Sequence, residues 1–168
     1  MNTVDFWRLI DTSREASGGD PEDQLLHLDT LLRELDPDDI VEFDRIFCEL
    51  HQRAYTWALW GAAYVIGGGC SDDGFMDFRG WLISRGEQVY EAAIADPDSL
   101  ADVVSPDDDV QVEGFQYLPR EVWAAVTQQD EDDFPSHDDI DYRAAPEGEE
   151  WGEDDLDGLY PRLNKIFN

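Results

Sequence analysis

Four times along this chain a helix-capping residue stands directly before proline: Asp20-Pro21, Asp36-Pro37, Asp96-Pro97 and Ser105-Pro106. A short polar side chain accepts hydrogen bonds from the free amides of a helix's first turn, and proline's fixed φ suits the position that follows. Three of the four read as true helix starts, so the chain is constrained toward a helical fold before its apolar pattern is considered.

The apolar spacing supplies the bodies of those helices. A first helix is expected from Thr3 or Val4 to about Ala16, burying Phe6, Trp7 and Ile10 and ending at Gly18-Gly19. A second runs from Pro21 to Leu35, with Leu25, Leu28, Leu32 and Leu35 along one face. From Pro37 to about Ile66, Phe43, Ile46, Phe47, Leu50, Ala54, Trp57, Gly61, Ala62 and Val65 recur at helical spacing, which predicts one long helix through the centre of the core. Further helices are expected from Ser71 or Asp72 to Ser84, Glu87 to Ala95, Pro97 to Val104 and Pro119 to Gln128, and the rest reads as loop or tail. The expected fold is therefore all-α, a compact domain of about six to seven helices around a long central helix. At 168 residues one core suffices, with residues 1–104 as the helical part and 105–168 as an acidic, loop-rich part that is either packed on the core, where scattered aromatics such as Phe115, Trp123, Phe134 and Trp151 can pin it, or partly mobile.

Charge decides which partners are excluded. The chain carries 41 acidic and 11 basic side chains, only Lys165 among the latter being lysine, for a formal net charge of −30. Duplex DNA and anionic lipid are repelled over a Debye length of about 8 Å, so neither direct nucleic-acid nor membrane binding is expected. Basic proteins and cations are attracted, although charge of this kind also serves solubility alone. Two cysteines, Cys48 in a helix interior and Cys70 in a turn, make neither a disulfide framework nor a metal-ligand pair. The absence of a signal-type start at Met1–Asp5 and of an apolar run near the ~20 residues of a spanning helix adds up to a cytoplasmic expectation.

Chemistry concentrates at Gly67-Gly68-Gly69-Cys70-Ser71-Asp72-Asp73-Gly74, where glycines free the backbone ahead of a new helix. A phosphate turn is disfavoured, because Asp72 and Asp73 occupy the helix's positive end and the Lys-Ser/Thr pair of a P-loop is missing. Cys70 is a poor nucleophile beside two carboxylates, and His51, next to Leu50, reads as a structural histidine. Asp72, Asp73 and Asp77 near one helix start are the candidate ligands for a hard cation, Ca²⁺ or Mg²⁺, and no other cofactor is expected. Ser71, Asp72, Asp73, Trp60, Tyr64 and Arg79 are the candidates for contact with a partner or ligand, with Arg79 able to fold back on neighbouring acids as an ion pair. The aromatics Trp57, Trp60, Tyr64 and Trp81 read more as core than as a ligand cage.

The order of these motifs resembles a bacterial family known only as a domain of unknown function, number 4240 of that series. Phe6-Trp7-Arg8-Leu9-Ile10-Asp11, Tyr55-Thr56-Trp57-Ala58-Leu59-Trp60-Gly61-Ala62-Ala63-Tyr64, Gly68 to Phe75, Phe78-Arg79-Gly80-Trp81-Leu82-Ile83, Pro97-Asp98-Ser99-Leu100 and Tyr160-Pro161-Arg162-Leu163 carry the resemblance. It implies a helical domain over most of the chain and transfers no catalytic residue.

With no complete catalytic set among the residues, the leading expectation is a protein-binding or regulatory module that uses its acidic surface, with a basic protein as partner. One alternative is a small hydrolase or divalent-cation-dependent enzyme with its site at the Gly67–Asp73 turn. The other is a mimic of nucleic-acid charge.

Overall fold

Asp20-Pro21, Asp36-Pro37 and Asp96-Pro97 all open helical segments in the computed structural model, which describes residues 1–168. The Asp20 carboxylate accepts from Asp23 N at 2.9 Å, capping α2 (Pro21–Arg33), and Asp96 accepts from Asp98 N at 3.2 Å at the start of a 3-10 segment, Pro97–Asp102. Helix α1 (Thr3–Ala16) precedes them, with Asn2 as its cap. Ser105-Pro106 starts only a turn. Helices α5 (Asp72–Ser84) and α6 (Glu87–Ala95) fall where the apolar spacing puts them, and α7 (Leu118–Thr127) lies one residue from its expected bounds. Every regular element is helical and the chain forms no strand.

The long central helix is the principal departure. It is two helices, α3 (Pro37–Arg53) and α4 (Trp57–Gly67), with a corner at Ala54-Tyr55-Thr56. Thr56 takes an extended backbone, φ −130° and ψ 149°, and its hydroxyl accepts from Leu59 N at 3.1 Å, so it ends one helix and caps the next. The corner is also claimed from outside. Trp57 N donates to Glu147 O at 2.9 Å and Glu147 N to Tyr55 O at 3.0 Å, an isolated parallel bridge that absorbs groups a continuous helix would have used internally. At the same place Arg79 Nη1 donates to His51 O at 3.1 Å, satisfying a carbonyl at the end of α3.

The acidic third is more helical than expected. Two 3-10 turns (Glu131–Asp133 and Glu153–Asp155), α8 (Leu156–Leu159) and α9 (Pro161–Phe167) follow α7. Helices of four and seven residues do not persist alone, so burial must hold them. Leu156, Tyr160 and Leu163 provide it, joining Phe6, Phe43, Phe78, Phe115 and Trp123 in one cluster of 33 buried residues. At about 1.5–3 kcal/mol for each fully buried large apolar side chain, three such anchors outweigh the marginal instability of these short helices. Tyr160 reaches that position because Gly61 has no side chain: a Cβ there would meet Tyr160 ring carbons at 2.8 Å. The tyrosine hydroxyl donates to Ala58 O, the carbonyl that an α4 face brings beside it.

Candidate functional site

The glycine turn is a helix junction built from its own polar groups. Gly68 adopts φ 64°, ψ 35°, the left-handed conformation that ends α4, and Gly69 N donates to Tyr64 O at 2.8 Å. Ser71 Oγ accepts from Gly74 N at 3.1 Å and caps α5, which commits the hydroxyl to the backbone. Asp72 and Asp73 are exposed in the first turn of α5, where the helix dipole favours them. Asp77 is not drawn toward them; its carboxylate accepts from Gln116 Nε2 at 2.7 Å. The three carboxylates proposed from sequence as cation ligands therefore do not form a cluster, and none of the five principal clefts is lined by Ser71, Asp72 or Asp73.

The remaining residues singled out in the sequence hold the α3–α4 corner. Trp60 stacks between Trp57 and Phe75, with ring centroids 5.2 and 5.0 Å away and planes within 7° and 11° of parallel, and its Nε1 donates to Cys70 O at 3.0 Å. Tyr64 meets Trp151 edge-on and donates its hydroxyl to Glu153 Oε1 at 2.8 Å. Arg79 makes no ion pair with an acid. It is buried, its guanidinium 4.3 Å from the Tyr55 ring centroid and 4.9 Å from that of Phe75, with Nε also directed at Phe75 O. Burial lowers its pKa to about 10, still high enough to keep the charge at neutral pH. His51 is buried: its Nε2 faces Met76 O at 2.9 Å, and a carbonyl only accepts, so the neutral ring carries its proton there.

Two clefts gather chemistry that the sequence reading passed over. The first, of about 720 Å³, lies between the start of α4 and the C-terminal segment. Its lining is apolar at Ala58, Ile94, Trp151, Leu159 and Tyr160 and acidic at Glu147, Glu149, Glu150 and Asp155. Trp151 is fixed by donation of Nε1 to Trp57 O at 2.7 Å, and Leu159 stays 54% exposed. Glu147 pairs with Arg143 at 2.6 Å, whereas Glu149 and Glu150 have no cation partner. The acids and the apolar Trp151, Leu159 and Tyr160 of this groove stand close together in the sequence; Ala58 of α4 and Ile94 of α6 join them from far away in the chain.

The second cleft, of about 690 Å³, opens between α3, α7 and the loop after α7. Asp44, Cys48 and His137 line it together with Arg120, Ser136 and Tyr142. His137 Nε2 lies 2.7 Å from Asp44 Oδ2, and the Cys48 thiol donates toward the same oxygen at 3.7 Å. Burial raises the pKa of Asp44, partly offset by the His137 hydrogen bond. Burial, reinforced by the Asp44 charge, pushes the Cys48 thiol up to about 12, so the uncomplexed sulfur is protonated at neutral pH and is no free thiolate nucleophile. The only signal in sequence was the one-turn spacing of Asp44 and Cys48, and nothing there pointed to His137.

The fold and its two clefts define an all-helical domain with an acidic surface. By the match of its residues 1–145 the chain belongs to the family described as "Protein of unknown function (DUF4240)". No curated protein and no solved structure matches it. Asp44, Cys48 and His137 all lie within the matched residues, while Glu147 to Tyr160, including the Tyr160-Pro161-Arg162-Leu163 motif's first residue, lie beyond them. No helix is long and apolar enough to cross a membrane.

Proposed function

We propose that the chain is a protein-binding module whose groove between α4 and the C-terminal segment takes a basic segment of a partner protein. The observation that supports this reading most directly is that exposed apolar side chains and the unpaired carboxylates of Glu149 and Glu150 line the same cleft. An amphipathic segment bearing Lys or Arg beside one apolar residue satisfies both: the apolar group is buried on Trp151 and Leu159, and the cation meets Glu149 and Glu150. The net charge of −30 adds long-range attraction that raises the encounter rate and falls with salt.

A synthetic Lys-rich amphipathic peptide titrated against the full chain, with tryptophan fluorescence as readout, tests the site. Saturable binding is expected, with a signal lost in Trp151→Phe and an association rate that falls as salt rises. Glu149→Gln with Glu150→Gln should weaken binding more than Asp107→Asn with Asp108→Asn, which removes the same charge elsewhere. Equal weakening by both pairs would mean diffuse electrostatic adsorption and would overturn the groove.

A further inference from the structure

We propose that Asp44, Cys48 and His137 form a binding site for a zinc-class transition-metal ion, with carboxylate, thiolate and imidazole as three protein ligands and the remaining coordination position open to the cleft. This site is separate from the groove of the proposed function and shares no lining residue with it.

The donor set selects the metal. Sulfur, nitrogen and oxygen ligands are those of zinc and its neighbours, whereas Ca²⁺ and Mg²⁺ take oxygen alone. The three donor atoms lie within 4.8 Å of one another. Ligands on a tetrahedral zinc, at about 2.0 Å for nitrogen or oxygen and 2.3 Å for sulfur, stand roughly 3.3–3.8 Å apart. The Asp44–Cys48 separation of 3.7 Å already falls there, and Asp44 and His137, at 2.7 Å, need only part by a fraction of an ångström.

The framework holds these groups in place without metal. Asp44 and Cys48 are one turn apart on α3, a helix of 17 residues, so they share a face. His137 arrives from 93 residues further on, yet its loop is pinned on both sides. Phe134 is buried edge-on against Trp123, and Asp139 forms an ion pair with Arg45.

Charge balance follows from the same residues. On binding, Cys48 gives its proton to solvent and its sulfur pair to the metal. His137 coordinates as the neutral tautomer that carries its proton on Nδ1, which leaves the Nε2 lone pair free for the metal. Carboxylate and thiolate then neutralise the dication, and neutral imidazole adds no charge. Three protein ligands with an open position is the pattern of zinc sites that also hold water or a small ligand. Arg120, whose guanidinium stands over the Phe134 ring, lines the same cleft and suits an anionic ligand there.

Cobalt(II) titration of the chelator-treated full chain tests the proposal, with excess Mg²⁺ present to occupy the diffuse acidic surface. The expected result is a thiolate-to-cobalt charge-transfer absorption that saturates at one ion per chain and is displaced by Zn²⁺. Cys48→Ser should abolish the band and Cys70→Ser should retain it. His137→Ala and Asp44→Asn should weaken zinc by more than about tenfold. Absence of the band in the unaltered chain overturns the site, whatever the variants do to folding. So does a band that survives Cys48→Ser or disappears with Cys70→Ser.

Discussion

Burying a guanidinium away from carboxylates is unfavourable unless its N–H groups find other acceptors. Arg79 finds the carbonyls of His51 and Phe75, and two aromatic faces take the rest of the charge. Replacing it by methionine keeps most of the volume but orphans the His51 carbonyl and removes both ring contacts. Arg79→Met is expected to lose about 2–3 kcal/mol, read as a lower urea midpoint, and Arg79→Lys should recover little because a point charge cannot span both carbonyls and rings. An unchanged midpoint would show that the cation contributes nothing net. His51 beside it gives a pH signature. Burial, then the Arg79 charge, lowers its pKa to about 3 from an ordinary 6.5. Between those values the unfolded chain binds the extra proton, so this contribution to stability is complete above about pH 6.5 and is lost as pH falls toward 3. The slope from one such group is roughly 1.4 kcal/mol per pH unit. In His51→Gln, which keeps a donor for Met76 O, stability should fall less steeply below about pH 6, as urea unfolding at a series of pH values would reveal. Parallel curves for the two proteins would remove His51 as the source.

The corner between α3 and α4 is an element-scale device, and its parts carry separable energies. Thr56→Ala removes the cap on Leu59 N and should lower stability by about 1 kcal/mol. Gly61→Ala is expected to be worse, at about 2 kcal/mol or more, because the new methyl displaces a buried Tyr160 and with it α9. Gly158→Ala, in α8 with open space around it, should be neutral or stabilising by up to about 1 kcal/mol. Thermal denaturation of the three variants ranks them; a Gly61 variant as stable as the Gly158 variant would mean that Tyr160 is loosely held. The same corner shows what the sequence could and could not disclose. Helix α6 was readable to the residue, since Gly86 and Asp96-Pro97 mark both ends locally. The break at Thr56 was not, because apolar residues on either side keep helical spacing and the groups that claim the corner, Glu147 and Arg79, come from elsewhere. Helices α8 and α9 were missed for a related reason: their propensity is weak, and burial against Gly61 and α4 holds them. The metal-type cluster was half readable, as Asp44 and Cys48 share a helix face while His137 sits in an acidic loop with no local signal.

At the scale of the whole molecule, acidity competes with cohesion. Of the 41 acidic side chains, only nine enter ion pairs with arginine or the N-terminal amine, at Asp5, Asp11, Asp29, Asp39, Glu49, Glu91, Asp102, Asp139 and Glu147. Most of these pairs reach the surface, where each is worth roughly 0–1 kcal/mol and is weakened by salt. Against them stands the mutual repulsion of the unpaired acids under a net charge of −30. Salt screens both, shortening the Debye length from about 10 Å at 0.1 M to about 3 Å at 1 M. Ion pairs act over 3–4 Å and lose less than repulsions acting over a whole surface, so the net effect of screening should be stabilising. Each kcal/mol gained raises Tm by about 2–4 °C in a chain of this size. Calorimetry in increasing NaCl is therefore expected to show Tm rising by several degrees and then levelling once the Debye length falls below the spacing between acids. NaCl is preferable to sulfate, which strengthens apolar burial by itself and would raise Tm in any protein. A Tm that falls with NaCl would show that the ion pairs, Arg45–Asp139 and Arg53–Glu91 among them, outweigh the repulsion. The paired acids would then be part of what holds the fold together, and Glu149 and Glu150 would stand among the many that have no cation partner within the chain.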